Sequence, residues 1–115
     1  MPVSPDFAAY VLEQLGRIVP VTSRRMFGGI GIYGDGLFFA LIDDDTLYLK
    51  VDDATRPAFE AAGMEPFRPY GDDRAMAYYT LPGDALEDVE LLAPWVDRAM
   101  AAARRQAAGK RRRSS

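Results

Sequence analysis

The chain contains no cysteine and no histidine among its 115 residues. Without cysteine it can form no disulfide and no thiolate metal site. Without histidine it lacks the usual general base, the commonest zinc ligand and every nucleophilic triad built on imidazole. Catalysis by carboxylate, lysine, tyrosine or serine survives these absences, but a chain missing both residues is expected to be a non-enzyme with no cofactor. Long apolar runs are missing too. Nothing approaches the ~20 consecutive apolar residues of a membrane helix, and the opening MPVSPDFAAY has neither the basic start nor the apolar run of a secretory signal. A cytoplasmic, bacterial-type protein with no membrane partner is the expectation.

What is present is charge, unevenly placed. All 17 acidic residues lie before Ala103, together with eight of the 14 basic ones, so this body carries a net charge of −9. The remaining six, Arg104, Arg105, Lys110, Arg111, Arg112 and Arg113, give the end of the chain +6. An acidic body repels a polyanion and a basic tail attracts one. Nearly half the residues are apolar (49%), enough for one domain with a real core.

Periodicity supplies the elements. Ser4-Pro5 suits a helix start, and Phe7, Val11, Leu15 and Ile18 then recur at helical spacing until Pro20. The period changes at Met26. Residues 23–50 read as three strands joined by two tight turns, with the glycines at 28, 29 and 31 marking a bulged first strand. Gly34-Asp35-Gly36 is a hairpin turn. Residues 37–42 are apolar on both faces and predict a central strand. Asp43-Asp44-Asp45 turns again, and Leu47, Leu49 and Val51 alternate with Tyr48, Lys50 and Asp52 as in a half-wet strand. Asp52-Asp53 caps a second helix to about Ala62, ended by Gly63. Residues 65–70 form a proline-interrupted edge strand, and residues 75–81 another strand. The last helix carries Leu86, Val89, Leu92, Val96 and Met100, with Pro94 inside it, so either two helices meet there or one is kinked. Trp95 is expected to anchor it to the body.

The order α-βββ-α-ββ-α with short hairpins predicts an α+β domain: a mostly antiparallel sheet covered by helices in a two-layer sandwich. Residues 1–105 form that single domain, and residues 106–115 are expected to be a disordered basic tail.

Three segments occur together and in order: RRMFGG (24–29), GDGLFFALI (34–42) and TLYLK (46–50). With them the chain resembles the N-terminal domain of the TfoX/Sxy family of competence regulators, over nearly all of its ordered length. The resemblance implies the same α+β layout, which is similar to that of small type III secretion chaperones. It implies regulation rather than catalysis, since larger members act with the cyclic-AMP receptor protein to switch on DNA-uptake genes. Those members add a small helical C-terminal domain. This chain is expected to be a single-domain member with the basic tail in that place, acting as a protein-interaction module and transcription co-regulator.

Each motif that suggests chemistry has a plainer reading. Gly28-Gly29-Ile30-Gly31 lacks the strand-before, helix-after setting of a phosphate loop. Asp43, Asp44 and Asp45 lack calcium-loop spacing and read as solvated turn acids, which leaves a small carboxylate- or metal-dependent enzyme as the weakest alternative. Arg24 and Arg25 are neighbours on one strand, so one side chain faces outward and the other is buried with a carboxylate or reaches the edge. They serve either an internal ion pair or an anion or partner contact. Tyr33, Tyr48, Tyr70, Tyr78 and Tyr79 with Phe38 and Phe39 make an aromatic sheet, suited to packing or to a subunit interface in a homodimer. The basic tail offers a nucleic-acid contact through Arg104, Arg105, Lys110, Arg111, Arg112 and Arg113, which is the alternative function: an accessory that binds DNA without sequence choice.

Overall fold

Helix α1 (Pro5–Gly16) starts where the sequence places it. The Phe7 N–H donates to the Ser4 hydroxyl at 3.4 Å, and Pro5 takes a position that needs no donor. The computed structural model describes residues 4–26, 28–69 and 76–114, with side chains to residue 110. After α1 come β1 (Val21–Met26), β2 (Gly29–Gly34), β3 (Leu37–Asp43), β4 (Thr46–Lys50), α2 (Arg56–Ala61), β5 (Pro66–Phe67), β6 (Met76–Tyr79) and α3 (Val89–Ser114). The six strands form one sheet in the order β1-β2-β3-β4-β6-β5, antiparallel throughout.

Two-residue turns fix the first hairpins. Asp35 and Gly36 (φ 51° and 75°) join β2 to β3, and Asp44 and Asp45 (φ 50° and 52°) join β3 to β4. Paired positive φ values are the type I′ geometry, whose twist matches that of the flanking strands. The stretch read as one bulged strand is two strands. Gly28 turns the chain with φ 80°, and Gly29 then lies so close to the Ile42 carbonyl that a Cβ would collide with it. The bulge lies further on, where the β2–β3 register shifts between Ile32 and Tyr33.

Helices α1 and α2 and the first half of α3 cover one face of the sheet. Val11 and Leu15 of α1, Phe59 of α2 and Leu92, Val96 and Ala99 of α3 share a core with Ile32, Phe39, Ile42 and Leu49. Trp95 anchors α3 as expected, its ring centroid 4.8 Å from that of Phe59. Gln14, buried on α1, donates to the Leu86 carbonyl at 2.9 Å and ties the first helix to the approach of the last. Pro94 sits inside one continuous helix rather than between two.

Three boundaries differ from the sequence reading. Helix α2 begins at Arg56, because the Asp52 carboxylate accepts the Ala54 and Thr55 N–H groups (3.1 Å each) in a turn before the helix. The edge strand and its neighbour are shorter, at Pro66–Phe67 and Met76–Tyr79, with Tyr70 and Ala75 outside the described residues. Most consequentially, residues 106–114, expected to be disordered, continue α3 to Ser114. Ala101 to Ala103, Arg104, Arg105, Gln106, Ala107 and Ala108 are nearly all strong helix formers, and a helix already nucleated by its packed half extends through them at little cost. The ~1 kcal/mol penalty of Gly109 does not stop it.

Phe59 is fully buried between Trp95 and Tyr79. Phe59→Ala is expected to lower the unfolding free energy by about 3–5 kcal/mol, read as a drop in the urea midpoint with an unchanged slope.

Candidate functional site

Strand pairing assigns side chains to faces. Arg24 pairs with Gly31, Gly31 with Leu41, and Leu41 with Tyr48, so these four share the face opposite the main core. Past the bulge, Tyr33 pairs with Phe38, and Lys50 pairs with Tyr78. Their rings form a layer on this face: Tyr33 and Phe38 stack at 5.2 Å, Phe38 and Tyr78 lie 5.5 Å apart, and Tyr48 meets Phe67 at 4.7 Å. The aromatic sheet expected from the sequence therefore exists, divided between this layer and the core-side pair Phe59–Tyr79.

Two environments share the layer. At one end α3 passes over it. Lys50 is buried there, with its ammonium 5.5 Å and 5.6 Å from the ring centroids of Phe38 and Tyr78, and it donates to the Gln106 side-chain oxygen. Burial, and then the charge of Lys110, lower the Lys50 pKa. Burial pushes the Tyr78 hydroxyl up to about 12, with Tyr33 adding to it. At the other end an apolar groove of about 120 Å³ opens among Met26, Ile30, Phe38, Leu41, Phe67 and Met76. Among the described residues, each one that lines it belongs to a strand. Met76 remains 47% exposed, and Asp43 supplies a carboxylate at the rim. Burial, then Asp43 and Asp44, raise the pKa of the neighbouring Tyr48. A groove of methionine, leucine and aromatic rings with one rim carboxylate is suited to holding apolar side chains. Among the described residues it brings no nucleophile beside a base.

The residues singled out from the sequence fall elsewhere. Arg24 and Arg25 are both exposed on β1, and neither forms an ion pair among the described residues. Of the two outcomes expected for the inner arginine, reach to the edge is the one that fits, because β1 is the last strand of the sheet, with water on both sides of its second half. Arg104 and Arg105 are parts of a packed helix rather than of a tail. Arg104 lies 3.7 Å from the Asp35 carboxylate, and Arg105 grips Asp52 with two bonds, 2.6 and 3.1 Å. Lys110 stands near Tyr33 and Gln106 along a second opening, and the side chains of Arg111, Arg112 and Arg113 lie outside the described residues. In the Asp43–Asp45 turn, Asp45 accepts the Ser4 N–H at 2.6 Å, and no cluster of three metal-ligating side chains forms among the described residues. No helix of the described residues is long and apolar enough to cross a membrane. The groove is the feature that sequence reasoning located least well. Its signal was the two-sided apolar pattern of residues 37–42, which carries more apolar surface than one helical layer covers.

Comparison with known families matches residues 13–103 to the TfoX N-terminal domain. Over 57 residues the chain is 33% identical to the DNA transformation protein TfoX1 of Aliivibrio fischeri (strain ATCC 700601 / ES114), a match covering 50% of this chain and 26% of that protein. The similarity thus spans about a quarter of the length of that relative.

The Asp52–Arg105 pair carries a pH signature. Hydrogen bonds from Arg105 hold the Asp52 carboxyl below the usual carboxylate range, against the opposing effect of burial. Its stabilisation is therefore complete above the unfolded-state value of about 4 and is lost as pH falls through the lower folded value. Carboxyl-resonance titration is expected to show Asp52 taking up its proton at lower pH than ordinary aspartates, and Arg105→Ala to move it upward toward the ordinary aspartate range.

Proposed function

The chain belongs to the TfoX N-terminal domain family, and on that premise we propose that it is a non-enzymatic regulatory module of DNA-uptake competence, a transcription co-regulator that works in the cytoplasm by docking a protein partner. The observation that carries this reading is the strand-walled groove beside Phe38, Leu41 and Met76. Isolated apolar residues on a protein surface need no explanation, but a shaped apolar concavity with a polar rim is the usual form of a docking site. The name of the Aliivibrio relative, a DNA transformation protein, supports the biological context. The absence of histidine and cysteine favours contact over catalysis.

The test is complementation. In a naturally transformable host deleted for this gene, the wild-type chain restores transformation and competence-gene transcripts. Met76→Glu, which places a charge at the exposed wall of the groove, is expected to lower transformation at least about tenfold while its melting temperature stays within a few degrees of wild type. Leu41→Asp is expected to abolish it. Full complementation by both folded variants would remove the reading.

A second reading, DNA binding through the basic end, draws on the continuation of α3 to Ser114, which places residues 110–113 on a helix. Arg104 and Arg105 already pair with Asp35 and Asp52, so this reading assigns the contact to the end of the helix rather than to them. On this reading the full chain binds duplex DNA at low salt, with log affinity falling against log salt at a slope of roughly −3 to −4, and a chain ending at Ala108 does not bind. Equal binding by the two would eliminate it.

A further inference from the structure

The two ends of the sheet are built differently. One end is β5, two residues long, and its first residue is Pro66, which has no N–H to offer. Short strands and prolines are the usual means of closing an edge to other chains. The other end is β1, six residues long and free of proline, with Thr22, Ser23, Arg24 and Arg25 all exposed. Its backbone pairs with β2 and with nothing else among the described residues.

The charge on that open edge is the opposite of its surroundings. Arg17, Arg56, Arg104 and Arg105 each meet a carboxylate of this chain. Among the described residues Arg24 and Arg25 do not, although the body around them carries a net charge of −9. By strand register Arg24 shares its face with Gly31 and Leu41, and Met26, two residues on, lines the apolar groove. A strand added to β1 would extend the wall of that groove.

From this we infer that β1 is a strand-addition site for an extended acidic segment of a protein partner, main-chain bonds to residues 21–26 supplying affinity and carboxylates opposite Arg24 and Arg25 supplying selectivity. The inference rests on the docking reading above and names the chemistry of the partner. Strand addition is an established mode of peptide capture, and opposite charges directly across a strand pair are stabilising where like charges are not. The same argument disfavours a second copy of the chain. An antiparallel self-pairing over residues 21–26 would gather four arginines at one seam.

The experiment is selection from a phage-displayed library of random decapeptides on the full chain. Enriched sequences are expected to carry adjacent aspartate or glutamate among valine, isoleucine, threonine or tyrosine, and a synthetic copy is expected to shift the backbone amide resonances of residues 21–26. The doubly substituted Arg24→Glu, Arg25→Glu chain, checked for an unchanged melting temperature, should bind that copy at least about tenfold more weakly and should accept a version with lysine in place of the acids. Methylation of the peptide backbone nitrogens should abolish binding. Failure to enrich any sequence, or enrichment of basic or helix-forming peptides, overturns the inference. So does a concentration-dependent dimer whose perturbed amides are those of 21–26, which would put a second copy at the edge. Shifts confined to Phe38, Leu41 and Tyr78 also overturn it, while leaving docking in the groove intact.

Discussion

Strand register governs everything else in this molecule, and two turns of two residues set it. Asp35-Gly36 and Asp44-Asp45 each hold successive positive φ values, and a hairpin closed that tightly leaves no slack for slippage. A one-residue slip in β3 would send Ile42 from the core to the outer face and Leu41 the other way. The irregularity in the β2–β3 hairpin, the shift between Ile32 and Tyr33, turns Phe38 outward to stack on Tyr33 while Phe39 stays in the core. Core and groove are thus two faces of one registration, and neither can be altered without the other.

The second organising feature is the way α3 is fastened. Its first half is held by apolar burial, with Leu92 and Val96 in the core and Trp95 against Phe59. Its second half is held by polar contacts: Arg104 to Asp35, Arg105 to Asp52, and Gln106 to Lys50. These partners sit in the β2–β3 turn, after β4 and at the end of β4, so the helix bridges successive parts of the meander. Exposed ion pairs of this kind add little stability individually. Their effect is to direct where a helix with no further apolar stripe lies on the sheet.

Features that depend on a few neighbouring residues were legible in the sequence. The Ser4-Pro5 start, the Gly34-Asp35-Gly36 hairpin, the central position of residues 37–42 and the anchoring role of Trp95 follow from local chemistry and pattern, and the α+β class follows from their order. Features set by distant neighbours were not. Gly28-Gly29 reads as a bulge until Gly28 is seen to turn the chain and the Ile42 carbonyl to crowd Gly29. Which of Arg24 and Arg25 is buried, or whether either is, stays open until β1 is known to end the sheet. The extension of α3 is hidden for a different reason: the polar composition of the segment masks the helix propensity of alanine, glutamine and arginine. The groove was half legible, since surplus apolar surface on β3 was evident but the uncovered part of its outer face was not.

The unequal ends of the sheet bear on how large any assembly can grow. Polymerisation through edges needs two competent ends on each molecule, one to receive and one to donate. Here Pro66 and the brevity of β5 leave a single such end. If a strand adds at β1, it meets a terminus at the first step, which makes the chain a stopper for extended segments rather than a link in a fibre.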